Sequence, residues 1–348
     1  MINDIKKGSQ FYPNVTILIP VKNVAKYIKP VLEALLNQTY PAELFEILIL
    51  DNHSTDGTIE IVNNFNNPRI KIVQVGVDSP PIKYNKIISK VRGEIIGFVD
   101  GDAIVDRYWL EKVIQPLADF KVAGAAGVIK TWNRNKLIPR SIGYELQDRY
   151  ERMPREIKRI ATMHVVYKKS VLLKVGGFNE KLKTGYDCEI GHRINDYGYK
   201  IIFVADAVVY HHHRDTLKAY FKQQFEYGEY GIIRYIDKIK IARGDELARL
   251  RLITQPLYYV VSLIFVFLWL IFNSPWQLIF IPPLILIISY IYSSIRLAVK
   301  YKDITALFLL IIFFIRPIAW GLGATSMLFK ISKNYLFKKQ PAVSKNFK

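Results

Sequence analysis

The chain has 348 residues, of which 51% are hydrophobic, and its formal net charge is +19. This composition excludes a disordered or fibrous protein, and the length allows about two domains. A single cysteine, Cys188, excludes an intramolecular disulfide and a cysteine-built zinc or iron–sulfur site. The positive charge favours an anionic partner, which could be nucleic acid, a phosphorylated substrate or an acidic membrane surface.

The N-terminal part of the chain has the pattern of an α/β protein. The first thirteen residues are polar and contain no apolar run of the kind found in a signal peptide, so we expect this part to stay in the cytoplasm. Short β-branched runs then alternate with amphipathic segments, which predicts a mixed or parallel sheet flanked by helices. The predicted strands are Val15–Ile19, Glu46–Leu50, Ile70–Val75 and Ile95–Val99, and the predicted helices are Val24–Asn37, Thr58–Phe65 and Pro81–Val91.

Polar residues follow three of these strands at the point where each strand ends. Pro20 follows the first strand, Asp51 the second, and Asp100 and Asp102 the fourth. In an open α/β sheet the ligand binds at the carboxyl ends of the strands, so we expect these residues to form a binding site. The glycine patterns of dinucleotide-binding folds and of P-loop NTPases are not found, which argues against both classes.

The segment Asp100-Gly101-Asp102 predicts a metal site. Two carboxylates separated by one small residue can approach the same hard cation, Mg²⁺ or Mn²⁺, which keeps further positions for phosphate oxygens and water. The alternative is an ordinary turn in which Asp caps the next helix. One imidazole of the later cluster His211 to His213, which we assign to His211, would complete the metal shell. The alternative for this cluster is a solvent-exposed surface.

The C-terminal part of the chain has the composition of a membrane domain. Residues 252–295 contain no Asp, Glu, Lys, Arg or His. As helices, Leu252–Phe272 and Leu278–Ile295 would be about 31 Å and about 27 Å long, close to the thickness of a bilayer, and Asn273–Pro275 would form the turn between them. We therefore predict a transmembrane hairpin; the alternative is a pair of buried core helices, which are seldom uncharged on every face.

The segments on either side of this hairpin are amphipathic or interrupted. Upstream, Leu217, Tyr220, Phe221 and Phe225 recur at helical spacing, which predicts a helix in the membrane interface and contact with membrane lipids.

Downstream, the apolar stretch 304–329 contains Arg316 and Pro317. A full crossing would place Arg316 near the bilayer centre, at a cost of about 3 kcal/mol, and would export the basic tail. We therefore predict a kinked or re-entrant segment that returns the tail to the cytoplasm.

Five blocks between Val15 and Tyr227 resemble the family 2 glycosyltransferases. They are "VTILIPVKNVAKYIKPVLEALLNQTYP", "EILILDNHSTDGT", "NKIISKVRGEIIGFVDGD", "VGGFNEKLKTGYDCEIGHRINDYGYKIIFVADAVVYHHHRD" and "FKQQFEYGEYG". The resemblance implies a GT-A fold and an inverting transfer of sugar from a nucleotide-sugar, with a metal at the Asp-x-Asp pair.

The resemblance also implies roles for individual residues. Pro20 would line the nucleotide pocket, Asp51 would contact the base, Asp100 and Asp102 would serve ribose and metal, and Asp187 would be the catalytic base. The family has a Glu before this Asp, whereas here Tyr186 precedes Asp187. A helix cap is the alternative role for Asp187. The Gln-x-x-Arg-Trp motif of processive family members is not matched at residues 223–227, so we expect a non-processive enzyme.

These observations predict a membrane-anchored, metal-dependent glycosyltransferase that adds a sugar to a lipid-linked glycan at the cytoplasmic face of the cell membrane. Two alternatives are a polyprenyl-phosphate sugar synthase and a non-catalytic membrane scaffold with a degenerate transferase domain. We expect no nucleic-acid partner, because no DNA- or RNA-binding motif is found. The predicted segments are a lead (1–13), a catalytic domain (14–214), an interfacial segment (215–251), a membrane domain (252–329) and a basic tail (330–348).

Overall fold

The structure is a computed structural model that describes residues 11–77, 79–159, 161–237 and 254–338. Three parts of the predicted organisation lie outside the described residues. They are most of the N-terminal lead (1–10), the end of the interfacial segment together with the start of the hairpin (238–253), and the end of the basic tail (339–348).

The central element is a mixed nine-stranded sheet with the order β3-β2-β1-β4-β8-β6-β9-β5, in which β7 pairs with β9. Strands β1 to β4 are parallel, whereas β8 runs antiparallel to both β4 and β6. The predicted four strands are confirmed as β1 to β4. The strands are β1 Val15–Val21, β2 Phe45–Asp51, β3 Ile70–Gln74, β4 Ile95–Val99, β5 Ala103–Val105, β6 Val122–Thr131, β7 Glu156–Ile157, β8 His164–Lys168 and β9 Lys200–His211.

Helices cover both faces of this sheet, and the three predicted helices are confirmed as the first three. The helices are α1 Ala25–Leu36, α2 Thr58–Asn63, α3 Pro80–Ile88, α4 Trp109–Ile114, α5 Leu137–Tyr150, α6 Lys169–Lys174 and α7 Tyr186–Asp196. Successive residues of β1 enter different cores: Ile17 and Ile19 lie in the core beneath α1, whereas Leu18 lies in the core beneath α3. Because both faces are buried, the strand sequences are apolar throughout.

Within the described residues, four longer helices follow the sheet, and they are α8 Leu217–Asp237, α9 Gln255–Phe272, α10 Ile281–Tyr301 and α11 Leu309–Lys338. In the same part of the chain, three segments are long and apolar enough to cross a membrane: Gln255–Phe272, Trp276–Tyr301 and Ile304–Lys333. Asn273, with φ of 47°, starts the turn between α9 and α10, where the turn of the hairpin was predicted. Most side chains of α9 are exposed, as expected for a helix whose surroundings are lipid.

Residues 304–329, which the sequence predicts to be kinked or re-entrant, show no fold-back in the structure, and the kink and the return of the tail to the cytoplasm stay predictions. A short 3₁₀ helix, Ile304–Phe308, leads into α11, which continues through Pro317 without a fold-back. A single proline removes one backbone donor, and an otherwise apolar helix tolerates this loss. Arg316 does not force a fold-back either, because its side chain is buried and donates hydrogen bonds to Glu145 and to the Tyr220 hydroxyl.

Helix α5 connects the sheet domain to the apolar helices through charged contacts. The carboxylate of Asp148, which is 4% exposed, accepts hydrogen bonds from Arg296 and Lys300 of α10 at 2.6 and 2.8 Å. Although burial alone would favour the neutral acid, these two cations lower the pKa of Asp148 to about 2. The Ser141 hydroxyl donates to the Thr305 carbonyl at 2.9 Å. The two parts of the chain therefore meet along the length of α5.

Candidate active site

Asp51 lies at the carboxyl end of β2 and is held rigidly. Its carboxylate is buried and accepts hydrogen bonds from the Ser54 hydroxyl at 2.6 Å and from the Gln74 amide at 2.9 Å. Gln74 pairs with Asp51 in the β2–β3 register, which places the amide beside the carboxylate. Pro20 lies nearby in the adjacent strand, where it pairs with Leu50. The end of the sheet thus presents both residues that the sequence assigned to the nucleotide pocket.

Asp100, Asp102 and His211 form one cluster. One potential ligand atom from each residue lies within 4.8 Å of the others, and Asp102 Oδ1 is 3.4 Å from His211 Nε2. The cause is strand pairing, because β5 runs antiparallel to β9 with Ala103 opposite His211. Asp102 immediately precedes β5, so it meets the last residue of β9. Asp100 directly follows β4.

The charges in this cluster shift one another's protonation. Burial and the neighbouring Asp102 carboxylate raise the pKa of Asp100 to about 7, and the more distant Asp187 adds to this rise. Burial also opposes ionisation of Asp102, but His211 and Arg214 outweigh it and lower the pKa of Asp102. Two carboxylates that repel each other beside one imidazole form a set of O and N ligands that suits a divalent cation.

The other two histidines of the triple-His segment have different surroundings. The His212 ring packs against Tyr27 and Trp132, with centroids 4.6 and 5.9 Å apart. Burial lowers the pKa of His213 to about 3, and its backbone N–H donates to the Asn133 side chain at 3.0 Å. The segment is therefore not a solvent-exposed surface, and His211 is the histidine that faces the Asp pair.

Asp187 lies in the first turn of α7, one residue after Tyr186. The helix begins after Gly185, whose φ of 73° is left-handed, and Asp187 Oδ1 accepts a hydrogen bond from the Cys188 N–H at 2.8 Å. Asp187 is therefore not the residue at the cap position, although it lies at the positive end of the helix dipole. The side chain is partly exposed.

Tyr186 fixes this turn against the sheet. Its ring lies 6.2 Å from Tyr84 of α3, and Tyr84 lies 4.8 Å from Phe98 of β4, the strand that ends at Asp100. The Tyr186 hydroxyl is 3.2 Å from the Thr162 hydroxyl. The residue that departs from the family pattern thus packs against Tyr84 of α3, which in turn packs against β4, the strand before the Asp pair.

Glu189, the other acid of this turn, is occupied by an ion pair. Its carboxylate accepts two hydrogen bonds from the Arg193 guanidinium, at 2.9 and 2.6 Å, and the residue is 8% exposed. Arg193 also donates to the Val175 carbonyl at 2.5 Å. This arrangement holds α7 in place, and it leaves Asp187 as the acid of the turn that can reach a substrate.

Two residues near the site were not identified from the sequence. Gln74 orients Asp51, and only the strand register reveals that contact. Arg214 is exposed, follows the three histidines, and lowers the pKa of both Asp100 and Asp102. The sequence feature that could have identified Arg214 is its position three residues after His211. The assignment of Pro20, Asp51, Asp100, Asp102, His211 and Asp187 to donor, metal and catalysis stays a prediction.

Comparison with protein-family models gives two matches. The model for "Glycosyl transferase family 2" matches residues 16–173, and the model for "Glycosyl transferase family group 2" matches residues 95–324. The second match covers more than half of the chain and includes the Asp pair, α9, α10 and the first half of α11.

Individual proteins of known name are also similar. Glycosyltransferase AglE of Haloferax volcanii is 29% identical over 68% of this chain and 79% of its own length. Beta-monoglucosyldiacylglycerol synthase of Synechocystis sp. is 26% identical over 65% of this chain, and the match spans 49% of that protein.

Among solved structures, the mannosyltransferase PcManGT from Pyrobaculum calidifontis, in complex with GDP-Man and Mn²⁺, has a TM-score of 0.60. The alignment covers 92% of this chain and 88% of that chain, at 18% sequence identity. This likeness shows that the fold is of the GT-A type, followed by apolar C-terminal helices. The family-model matches establish that the chain belongs to the family 2 glycosyltransferases, enzymes that act on nucleotide-sugars.

Proposed function

We propose that this protein is a membrane-anchored, metal-dependent, inverting glycosyltransferase that transfers one sugar per encounter to a lipid-linked glycan at the cytoplasmic membrane face. The observation that carries the proposal is the cluster of Asp100, Asp102 and His211 at the same sheet edge as Asp51. Asp187 lies within electrostatic reach of this cluster. A donor site and a base beside it are what a direct displacement needs.

The metal ligands available in the cluster support Mg²⁺ or Mn²⁺ as the cofactor. Asp100, Asp102 and His211 would hold the ion, because carboxylate oxygens suit both metals and an imidazole is compatible with Mn²⁺. When bound, such an ion stabilises the negative charge that develops on the leaving diphosphate. PcManGT, which shares the fold, was solved with Mn²⁺ and a nucleotide-sugar.

The chain's own residues supply the remaining steps. Asp51 would bind the base of the donor. The hydrogen bonds from Ser54 and Gln74 keep the Asp51 carboxylate in one orientation. The acceptor hydroxyl would attack the anomeric carbon from the side opposite the diphosphate, so that the new glycosidic bond forms as the bond to the diphosphate breaks. Asp187 would take the hydroxyl proton, and the nucleoside diphosphate would leave with the bonding electrons.

The membrane helices support a lipid-linked acceptor. Through α5, the sheet domain is tied directly to α10 and α11, which keeps the active site close to the apolar helices. A similar protein, from Synechocystis sp., is named Beta-monoglucosyldiacylglycerol synthase, and this name supports a lipid acceptor. The positive charge of the chain favours the cytoplasmic face, where anionic lipids are found.

An acceptor assay separates this proposal from its nearest alternative. Purified full-length protein is incubated with radiolabelled UDP-, GDP- or dTDP-sugars and Mn²⁺, with either polyprenyl phosphate or a lipid-linked oligosaccharide extract as acceptor. We expect label in the oligosaccharide fraction. Label on polyprenyl phosphate alone would identify a polyprenyl-phosphate sugar synthase instead. A thermal-shift screen of the same donors shows whether the donor site is functional, because a bound ligand raises the melting temperature.

A further inference from the structure

Three aromatic side chains meet beside the candidate metal site, and the proposed transfer step does not use them. They are Tyr27 of α1, Trp132 after β6 and His212 after β9, and we call them the aromatic cluster. The Tyr27 ring centroid lies 4.6 Å from that of His212 and 5.9 Å from that of Trp132. The rings of Trp132 and His212 are 5.9 Å apart and almost perpendicular, at 88°. The three rings therefore form one compact group.

Backbone hydrogen bonds attach the aromatic cluster to two of the proposed metal ligands. The His212 N–H donates to the Asp102 carbonyl at 3.1 Å. The Trp132 N–H donates to the His211 carbonyl at 2.9 Å. Thr131, the residue before Trp132, pairs with His211 in the β6–β9 register. The aromatic cluster thus lies directly beside the metal ligands.

Helix α1 brings Tyr27 to the same edge of the sheet. Its first residue, Ala25, donates its N–H to the Asp56 carboxylate at 3.0 Å. Asp56 belongs to the loop that follows β2, and this loop begins just after Asp51. Tyr27 is the third residue of α1, so it lies close to the strand ends that form the candidate active site.

The order of the strands gives the aromatic cluster its own position along this edge. Asp51 ends β2, the Asp pair follows β4, and Trp132 and His212 follow β6 and β9. The sheet order β2-β1-β4-β8-β6-β9 places these three groups one after another. If the donor base binds at Asp51 and its diphosphate at the Asp pair, the aromatic cluster lies beyond the diphosphate. The donor sugar stays next to the metal through its bond to the diphosphate, which leaves the aromatic cluster for the acceptor.

The chemistry of the aromatic cluster suits a sugar ring. Each of its three side chains is partly exposed, whereas Trp109, which belongs to the core beneath α1, is fully buried. Among the described residues, no hydrogen bond involves the Tyr27 hydroxyl or the Trp132 indole N–H, and neither atom is buried. A sugar ring offers C–H groups to the negative face of an aromatic ring and hydroxyls to such polar atoms. An acyl chain would leave both polar atoms without a partner.

Asn133 holds the segment that carries Trp132 in one conformation. Its buried side chain donates to the His213 carbonyl at 2.8 Å and accepts from the His213 N–H at 3.0 Å. The same amide donates to the Asp215 carboxylate at 2.5 Å, and Asp215 also pairs with Lys136. A surface that is already ordered loses little conformational entropy when a ligand binds.

We propose that the aromatic cluster binds a sugar ring of the acceptor glycan, with the Tyr27 hydroxyl and the Trp132 indole N–H hydrogen-bonded to its hydroxyls. This inference rests on the proposed function, since it takes the acceptor to be a glycan. It gives the acceptor a binding surface on the far side of the metal ligands from the nucleotide base. It also argues against polyprenyl phosphate as the acceptor, because that molecule has no sugar ring.

Steady-state kinetics with the lipid-linked oligosaccharide extract test the assignment. We expect Trp132→Ala to raise the KM for the acceptor about tenfold, equivalent to about 1.4 kcal/mol, while donor affinity, measured by thermal shift, stays unchanged. Trp132→Phe keeps an aromatic ring and should recover most of the loss. Phe120→Ala is the matched control, because Phe120 is 77% exposed and precedes the other end of β6. It should change neither value. A lower donor affinity in Trp132→Ala would place the donor sugar on the aromatic cluster and overturn the acceptor assignment.

A binding measurement without turnover separates this inference from the proposed function. Oligosaccharides released from the same extract by mild acid are added to full-length protein in a detergent that carries no sugar, and saturation-transfer NMR detects binding. We expect saturation transfer to the glycan with the unchanged protein and with Phe120→Ala, and its loss with Trp132→Ala. Equal transfer with Trp132→Ala, or none with the unchanged protein, would overturn the inference. If the unchanged protein bound the glycan through Trp132 but transferred no sugar to it, the proposed function would fail and the glycan site would stand.

Discussion

Asp187 is the residue whose role has the clearest kinetic signature. We expect Asp187→Asn to lower the transfer rate by at least about 10²-fold, as is usual when a general base is lost, and to leave donor affinity unchanged. The reason is positional, since we assign donor binding to Asp51 and the Asp pair at the ends of β2 and β4, whereas Asp187 lies on α7. Rate and donor affinity are measured on the same preparation, which separates a turnover defect from a binding defect.

Asp196→Asn is the control for this change, because it removes an exposed carboxylate from the other end of the same helix. Its transfer rate should equal that of the unchanged protein. If Asp187→Asn merely lowered the melting temperature and kept normal turnover, Asp187 would have a structural role, and the mechanism would need another base. Glu189 is a poor substitute, because its two carboxylate oxygens bind Arg193.

A substitution of Asp102 tests whether transfer depends on a metal ion. Asp102→Asn keeps the side-chain volume but removes a charged ligand, so we expect it to abolish the stimulation of transfer by Mn²⁺ and the Mn²⁺-dependent rise in melting temperature. Asp206→Asn is a suitable control, because Asp206 is exposed and pairs with Lys112 outside the site. Wild-type rates for Asp102→Asn in metal-depleted buffer would contradict the assignment of this residue.

Among the helices, the close contact between α8 and α11 can be tested with two glycines of α11. Gly323→Ala should destabilise the protein by roughly 1–3 kcal/mol, because the new Cβ would lie 2.1 Å from the Phe225 carbonyl oxygen and the backbones would have to separate. Gly321→Ala is the matched control, since no atom lies within 4 Å of the new Cβ. It should be neutral or stabilising by up to about 1 kcal/mol through helix propensity.

The melting temperatures of both variants are measured in the same detergent and compared with that of the unchanged protein. Equal effects of the two substitutions would mean that α8 and α11 are not in backbone contact.

Helix α5 contributes a different stabilising element, the buried carboxylate of Asp148. Its pKa of about 2 lies below the ordinary value of 3.8, and one pKa unit corresponds to about 1.4 kcal/mol, so ionised Asp148 stabilises the folded state by about 2 kcal/mol. Asp148→Asn should lower the stability by a similar amount. Glu156→Gln, which removes an exposed ion pair with Lys200, should change it by less than about 1 kcal/mol.

The pH dependence has a definite sign. Because the folded-state pKa is depressed, the contribution of Asp148 is fully present above about pH 4 and is lost as the pH falls toward 2. The difference in melting temperature between the unchanged protein and Asp148→Asn should therefore shrink over that range. A difference that stayed constant down to pH 2 would show that Asp148 acts through packing and not through its charge.

At the scale of the whole molecule, local patterns were sufficient to predict the parallel half of the sheet. The strands β1 to β4 are apolar runs separated by amphipathic helices, and β1, β2 and β4 end at the polar residues of the predicted site. The placement of His211 beside Asp102 could not be predicted from local patterns, because it depends on the pairing of β5 with β9. Chemistry alone suggested that a histidine would join the Asp pair.

The same limit applies to α11, where the structure shows a continuous helix instead of a fold-back. From the sequence, Arg316 is an unpaired charge in an apolar segment, and a fold-back was the available way to keep it out of the lipid. The structure pairs it with Glu145, which is 171 residues away in the chain. A long-range partner of this kind changes the cost of burying a charge, and composition cannot reveal it. The sequence therefore identified Arg316 as the residue that needs an explanation, but not its partner Glu145.

The anchored architecture makes a prediction about how the enzyme meets its acceptor. If α9 and α10 hold the protein in the bilayer and the acceptor is a lipid, both diffuse in the same membrane, and their effective concentration is set by that membrane. Enzyme and acceptor lipid reconstituted into the same vesicles should therefore react at least about tenfold faster than the same amounts in separate vesicles. Donor affinity, measured by thermal shift in both samples, should not differ, because the donor arrives from water. Adding detergent, which mixes the two vesicle populations, should abolish the difference. Equal rates before mixing would show that the acceptor reaches the site through solution, and the lipid-linked acceptor would then be replaced by a soluble one.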